Sequence, residues 1–166
     1  AVLITVQSGL VLGLISMTSA PVDRSTADLW VGCPGVRSVD LGRPIPERWV
    51  VRVASQPEVE RVEPAVVGFA LWSRAGIDTA NTTAEVCTIV GSRLNADSLA
   101  AAEAVRDDPE LLTKLSLTGA VAVDESELSR LGISGVGDLA EIFGTRVRVV
   151  GLVKGYKSLG GPYVFC

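Results

Sequence analysis

The sequence predicts an α+β fold in which strands of mixed direction combine with short helices. Two observations lead to this prediction. An amphipathic helix pattern lies between two strand-like segments in residues 27–72, and a hairpin signal at Phe143-Gly144-Thr145-Arg146 joins two further strand patterns near the end of the chain. With 166 residues, the chain has room for one domain or for two small lobes that share one core.

The first half contains a pattern typical of a βαβ unit. Ala27–Cys33 has the composition of a short strand, and Val59–Trp72 that of a long one. Between them, Pro46–Gln56 carries an apolar stripe opposite charged positions and is followed by a proline, which predicts a helix. We expect Trp49 and Val53, both on that stripe, to face the sheet.

The second half contains shorter elements. The predicted strands and helices, in chain order, are Glu85–Val90, Asp97–Arg106, Pro109–Leu115, Ala120–Val123, Asp124–Gly132, Asp138–Ile142 and Val147–Val153. Asp108 is predicted to cap the helix that begins at Pro109, so the acidic cluster around it needs no metal to explain it. Asp124 is predicted to open its helix with a capping box, and Gly132 to end it.

The first 22 residues carry no charged side chain, and Asp23 is the first one. Three interpretations remain open: the outer part of a transmembrane helix, a signal peptide, or a buried core helix. We favour the first interpretation, in which residues 1–20 form the end of a transmembrane helix. Pro21 should terminate this helix. The segment 2–17 should then project from the domain, with few contacts from the side chains of Leu3, Val6, Leu10 and Leu14.

Composition excludes several functional classes. The net charge of −4 and the pI near 4.9 disfavour a nucleic-acid partner, which requires a basic surface. The sequence contains no histidine, so Ser-His-Asp and Cys-His catalysis are impossible. Cys33, Cys87 and Cys166 have the spacing of neither a disulfide framework nor a zinc site.

The glycine-rich segments do not match nucleotide-binding motifs. Gly151–Ser158 has three rather than four residues between its glycines, and Tyr156 separates the glycine from the lysine, so a phosphate loop is not expected. Gly132–Gly137 follows a helix and lacks the dinucleotide fingerprint. We therefore predict no catalytic residue, no cofactor and no metal ligand, and the residues alone indicate a non-enzymatic domain attached to a membrane or exported across it.

Three stretches carry a resemblance to a known family. They are the segment 27–31 after the apolar helix, the turn Gln56–Pro64, and above all Val121–Val153, which reads VAVDESELSRLGI and then VGDLAEIFGTRVRVVGLV. In these stretches the chain resembles the periplasmic core domain of MacB/FtsX-type ABC transporter permeases. With Pro162–Phe165 at its end, it is most similar to the DevC-like branch.

The resemblance implies a porter-like βαβ lobe (residues 27–74 and 118–166) with a second small lobe inserted at 75–117, the whole core domain spanning 21–166. The chain looks incomplete at the C-terminus, since a further βαβ unit usually follows in the family.

The resemblance also implies a function in transport. The domain would belong to an inner-membrane permease homodimer and lie in the periplasm. The permease would couple cytoplasmic ATP hydrolysis, by a separate subunit or domain, to export of a lipid, glycolipid, peptide or drug. A periplasmic membrane-fusion adaptor and an outer-membrane channel would be its further partners. Within the inserted lobe, Ile77 and Leu94 are the candidate docking residues. The alternative is a secreted or membrane-anchored binding domain without enzymatic activity.

Overall fold

The computed structural model describes residues 2–36, 39, 42–75, 84–158 and 160–166. Its helices are α1 (Val2–Asp23), α2 (Arg48–Ala54), α3 (Glu103–Arg106), α4 (Pro109–Leu115) and α5 (Leu128–Leu131), the last preceded by a 3-10 turn at Glu125–Glu127. Its strands are β1 (Val66–Arg74), β2 (Glu85–Gly91), β3 (Ala120–Asp124), β4 (Leu139–Ile142), β5 (Thr145–Val153) and β6 (Tyr163–Phe165).

The described strands form one closed barrel in the order β1-β2-β6-β3-β5-β4. Two neighbouring pairs, β2–β6 and β3–β5, are parallel, and the other pairs are antiparallel. The barrel closes through a short ladder between β1 and β4, in which Trp72 lies opposite Ile142 and Arg74 opposite Ala140. The mixed strand directions agree with the predicted α+β class.

Alternating side chains of the strands enter two separate clusters. An inner cluster takes residues from every strand of the barrel and includes Trp72, whose indole Nε1 donates a hydrogen bond to the Leu131 carbonyl at 3.0 Å. An outer cluster packs α4 against the other face of the sheet and includes Leu111 and Leu112. β3 is buried along its whole length because Val121 and Val123 join the inner cluster while Ala122 joins the outer one.

Several predicted elements are confirmed. β2, α4 and β3 lie where the sequence indicates, and the Asp108 carboxylate caps α4 by accepting from the backbone N–H groups of Glu110 and Leu111, both at 3.0 Å. The hairpin between β4 and β5 turns at Phe143 and Gly144, whose φ angles of 49° and 78° are those of a tight two-residue turn.

The predicted βαβ unit is wrong. Ala27–Cys33 forms no strand and is mostly exposed, with Leu29 at 84% exposure, and β1 begins only at Val66. α2 exists but buries none of its residues, and Trp49 remains 41% exposed, with the Arg52 guanidinium 5.6 Å from its ring centroid. The apolar stripe of α2 is therefore not buried against the sheet. The porter-like and inserted lobes are not confirmed as separate units.

The predicted helix Asp97–Arg106 is shorter than expected, because only Glu103–Arg106 is helical. The carboxylate of Glu63, distant in sequence, binds polar groups in the first turn of the predicted helix. Glu63 accepts hydrogen bonds from the Ser98 hydroxyl at 2.5 Å and from the Leu99 backbone N–H at 3.0 Å. These two bonds hold the backbone in a turn instead of a helix.

α1 agrees with the expected projecting helix. Leu3, Val6 and Leu10 are exposed, whereas the side chain of Leu14 lies outside the described residues, and the buried-core alternative is wrong for residues 2–12. Pro21 does not end the helix, which continues to Asp23.

Among the residues that the structure describes, none of the helices combines the length and the apolarity needed to cross a membrane. The expected transmembrane-helix end in residues 1–20 is therefore not confirmed.

Candidate functional site

The two predicted docking residues do not form a common surface among the described residues. Ile77 lies outside them. Leu94 is described and half-buried, and it packs against the outer cluster. A substitution at Leu94 would therefore change internal packing as well as the surface, and the docking role of both residues stays a prediction.

The most distinctive arrangement is a joint that fixes the end of α1 to the barrel. Ala20 is buried in the outer cluster, and Pro21 beside it is buried too. The Arg24 guanidinium lies over the ring of Tyr156, 4.9 Å from its centroid. Thr26 then donates from its backbone N–H to the Leu99 carbonyl at 3.1 Å and from its hydroxyl to the Ser98 carbonyl at 3.0 Å. The N-terminal part of α1 is exposed, whereas its C-terminal end is held at several points.

Tyr156 connects this joint to the strands. Its backbone N–H donates to the buried Asp124 carboxylate at the end of β3 at 2.7 Å, and its ring meets Phe165 of β6 edge-on with centroids 5.1 Å apart. Gly155 precedes it with φ of 84°, a conformation that favours glycine, and a Cβ there would lie 2.8 Å from Nη1 of Arg24. The missing side chain at Gly155 therefore leaves room for the Arg24 guanidinium beside Tyr156.

The segment 61–63, which precedes β1, also binds the turn at residues 97–99 that Thr26 contacts. Arg61 forms an ion pair with Asp97, with Nη1 2.9 Å from Oδ2, and Glu63 binds Ser98 and Leu99 as described above. Thr26 and Glu63 therefore contact one turn from two directions. The joint comprises α1, the segment 61–63, the turn 97–99 and the loop at Tyr156.

A second polar cluster lies at α5. Arg130 donates from Nε to Glu85 and, at 3.3 Å, from Nη1 to the Ser158 carbonyl, and the same Nη1 is 4.0 Å from the buried Glu127 carboxylate. Oε1 of Glu127 is buried without a hydrogen-bond partner. The cluster ties α5 to β2 and to the loop before β6.

Two of the three cysteines, Cys87 and Cys166, have thiols with a raised pKa. Cys87 is fully buried in the inner cluster, and burial raises the pKa of its thiol to about 11, which disfavours the reactive thiolate. Burial also raises the pKa of the Cys166 thiol, whose Sγ lies 3.9 Å from the Val90 carbonyl oxygen. Within the described ranges, no group of three or more potential metal ligands lies together.

Sequence reasoning missed an exposed apolar surface on the outside of β1 and β2. Phe69, Leu71 and Val86 are all exposed there, and Leu71 lies directly opposite Val86. The exposed ring of Phe143 follows, since its backbone N–H donates to the Leu71 carbonyl at 3.3 Å. The signal was present, because β1 carries apolar residues at both alternating positions, although such a run is equally typical of a strand buried on both faces.

No protein-family model and no curated protein sequence matches the chain. Among solved structures, the chain is similar to the extracellular domain of the noncanonic ABC-type transporter YknZ from Gram-positive bacteria. The similarity covers 73% of this chain and 61% of that one, with 14% identity and a TM-score of 0.44. The chain thus spans less than two thirds of that domain, and similarity at this level does not by itself establish a shared fold.

Proposed function

We propose that this chain is the extracytoplasmic domain of an ABC transporter permease, in which movement of α1 is passed to the barrel through the joint at Arg24 and Tyr156. The observation that carries the proposal is the contrast along α1. Its first part exposes apolar side chains and carries no charge. Ala20 in its last turn is buried in the outer cluster, and Arg24 just after it lies over Tyr156, which in turn contacts β3 and β6. A helix held in this way moves the barrel when it moves.

The order of elements in the C-terminal half supports the same proposal. The run Val121–Val153 carries the resemblance to MacB/FtsX-type permeases. It forms the buried strand, the helix opened by Asp124 and the hairpin at Phe143 that the resemblance implies. The outline of these elements is therefore compatible with that family, whereas the absent βαβ unit is a departure from it.

In the proposed function, a cytoplasmic ATP-binding subunit supplies the energy and two permease copies act as a homodimer in the inner membrane. The domain lies in the periplasm and passes a lipid, glycolipid, peptide or drug to a membrane-fusion adaptor and an outer-membrane channel. The domain itself contributes shape and contact and no catalysis, so the isolated chain should show no ATP turnover above a buffer control.

The side of the membrane can be tested without knowing the substrate. In the full-length protein, Cys33 and Cys166 would be replaced by serine, and an exposed cysteine introduced as Val136→Cys. A maleimide that does not cross membranes should label it in cells whose outer membrane has been permeabilised, and Cys87→Ser in the same background controls for the buried thiol. Labelling only after lysis of the inner membrane would overturn the proposed location.

The transporter assignment needs its own experiment. The full-length protein should co-purify with an ATP-binding subunit, and its gene should encode further hydrophobic spans beyond these residues. Correct outside labelling without such a subunit or such spans would favour the secreted or anchored binding domain instead.

A further inference from the structure

We infer that the free edge of β1 pairs with the same edge of a second copy of this chain, in an antiparallel register centred on Gly68. The inference gives a specific contact to the homodimer of the proposed function and rests on that function only for its setting. The contact itself follows from the geometry of β1.

β1 is paired on both sides only along part of its length. β2 pairs with it from Val66 to Trp72, whereas β4 reaches only from Arg74 back to Trp72. The hairpin turn at Phe143 ends beside Leu71. Within the described part of the chain, no strand lies beside the other edge of Val66–Ala70, so this stretch of β1 is paired on one side only.

The hydrogen-bond pattern shows which backbone groups point to that open side. Ser73 lies opposite Glu141 of β4, and both Leu71 and Ala75 bond to the β4 side, so odd-numbered residues of β1 face away from β2. The hydrogen bonds of β2 lead to the same assignment for β1. There Thr88 and Val90 bond to the chain around β6, which leaves Cys87, Ile89 and Gly91 to bond to even-numbered residues of β1. The N–H and C=O groups of Val67 and Phe69 therefore face the open side.

The two N–H and two C=O groups of Val67 and Phe69 can pair with the same four groups of a second copy. In an antiparallel pair, two opposed residues can exchange both hydrogen bonds. A two-fold axis beside Gly68 puts Val67 opposite Phe69 of the second copy, and Phe69 opposite its Val67, which satisfies all four groups of each copy. The contact cannot extend to Leu71, whose carbonyl is already occupied by Phe143.

The side chains fit the same register. Val67 and Phe69 point to the same outer face, so each aromatic ring would meet a β-branched side chain across the pair, a favourable combination. At the centre, two glycines would lie opposite each other. A Cβ on Gly68 would point to the face opposite that of Val67 and Phe69, and it would meet nothing within 4 Å. Residues 65–71 carry no charge and no proline, the usual features that keep an exposed edge from pairing.

A contact of this size should be weak in solution. The surface area that two short strand edges bury is far smaller than the roughly 1,200–2,000 Å² that stable interfaces bury. Two copies held in one membrane assembly would have an effective concentration on the order of millimolar, at which weak contacts form. A covalent trap at the symmetry axis is therefore the suitable test.

The test uses the 166-residue chain with Cys33→Ser and Cys166→Ser, in which Cys87 stays buried. Gly68→Cys places two cysteines at a non-hydrogen-bonded pair with Cα atoms about 4.5 Å apart, within the range of a disulfide. Mild oxidation should yield a linked dimer. Val66→Cys on the same strand is the matched control, because its two copies would lie about 13 Å apart in this register.

A further variant separates strand pairing from other association. Val67→Pro removes an N–H that faces the open side and leaves the β1–β2 ladder intact. Added to Gly68→Cys, it should reduce the linked dimer at least tenfold while circular dichroism shows a folded chain. Val67→Lys, which places a charge on the same edge, gives a second measurement if the proline variant fails to fold.

Three results would overturn the inference. Equal yields from Gly68→Cys and Val66→Cys would indicate non-specific association, such as that of the exposed α1. No linked dimer from folded Gly68→Cys at millimolar concentration would show that the edge does not self-pair and is open to a strand of another protein. Full yield in the folded Val67 variants would exclude the backbone pairing. The labelling and co-purification experiments decide the transporter function separately.

Discussion

Replacing Asp124 tests whether the buried carboxylate holds the loop at Tyr156 in place. One carboxylate oxygen accepts from the Ser126 backbone N–H at 2.9 Å and from its hydroxyl at 2.7 Å. The other accepts from the Tyr156 backbone N–H at 2.7 Å, and Asp124 is only 1% exposed. Hydrogen bonds to charged groups contribute about 1.5–3 kcal/mol each, and water can replace those to Ser126, whose residue is exposed. Asp124→Ala should therefore lower the free energy of unfolding by about 3–5 kcal/mol.

Asp124→Asn should have a smaller effect, because the amide oxygen can keep the bonds from Ser126 while the amide NH₂ faces the Tyr156 N–H. One buried donor then loses its partner, at a cost of about 1–3 kcal/mol. Asp108→Ala is the matched control, since Asp108 caps α4 with two similar bonds but is exposed, and such a cap contributes about 1 kcal/mol. Urea unfolding followed by circular dichroism gives all three values. A loss for Asp124→Ala no larger than that for Asp108→Ala, with an unchanged denaturant slope, would refute the reasoning.

Two further predictions follow from buried positions. Burial raises the pKa of Cys87 to about 11 from 9.0 and also shields the thiol, so it should react at least about 100-fold more slowly at pH 8 than after unfolding. The unfolded chain loses this proton first as pH rises, so the free energy of unfolding should fall by about 2 kcal/mol between pH 9 and 11. Cys87→Ala should remove that part of the pH dependence. Gly161→Ala should destabilise by about 1–3 kcal/mol in urea unfolding, because its Cβ would lie 2.5 Å from the Val86 carbonyl oxygen. Gly32→Ala, where a Cβ meets nothing within 4 Å, should change stability little, and equal losses would contradict the packing argument.

The C-terminal half could be predicted because its signals are local. The Asp108 cap, the left-handed Gly132 at the end of α5 and the Phe143-Gly144 turn each depend on residues a few positions apart. Such signals specify backbone conformation directly, so a single sequence is enough to identify them.

The partners of the strands could not be predicted in the same way. β2 pairs with β6 and β3 pairs with β5, and these parallel contacts join residues that no periodicity relates. Ala27–Cys33 has strand composition but no partner edge, and the turn at Ser98 depends on a carboxylate 35 residues away. The joint was missed for the same reason, because Arg24 and Tyr156 gave no signal that they meet.

The joint itself can be tested by introducing a charge at Ala20. The side chain of Ala20 is buried in the apolar outer cluster, so Ala20→Asp would bury an unpaired carboxylate, which is costly enough to release the end of α1. Ser16→Asp, at an exposed position of the same helix, is the matched control.

Spin labels at Leu10→Cys and Val136→Cys, in a background of Cys33→Ser and Cys166→Ser, report the distance between α1 and the barrel. We expect a narrow distance distribution in the parent chain and in Ser16→Asp, and a broad one in Ala20→Asp. Near-ultraviolet circular dichroism should show Trp72 still packed in all three. A distribution in folded Ala20→Asp as narrow as in the control would mean that Arg24 and Thr26 hold the helix without Ala20. A broad distribution in the parent chain would contradict a joint that transmits motion.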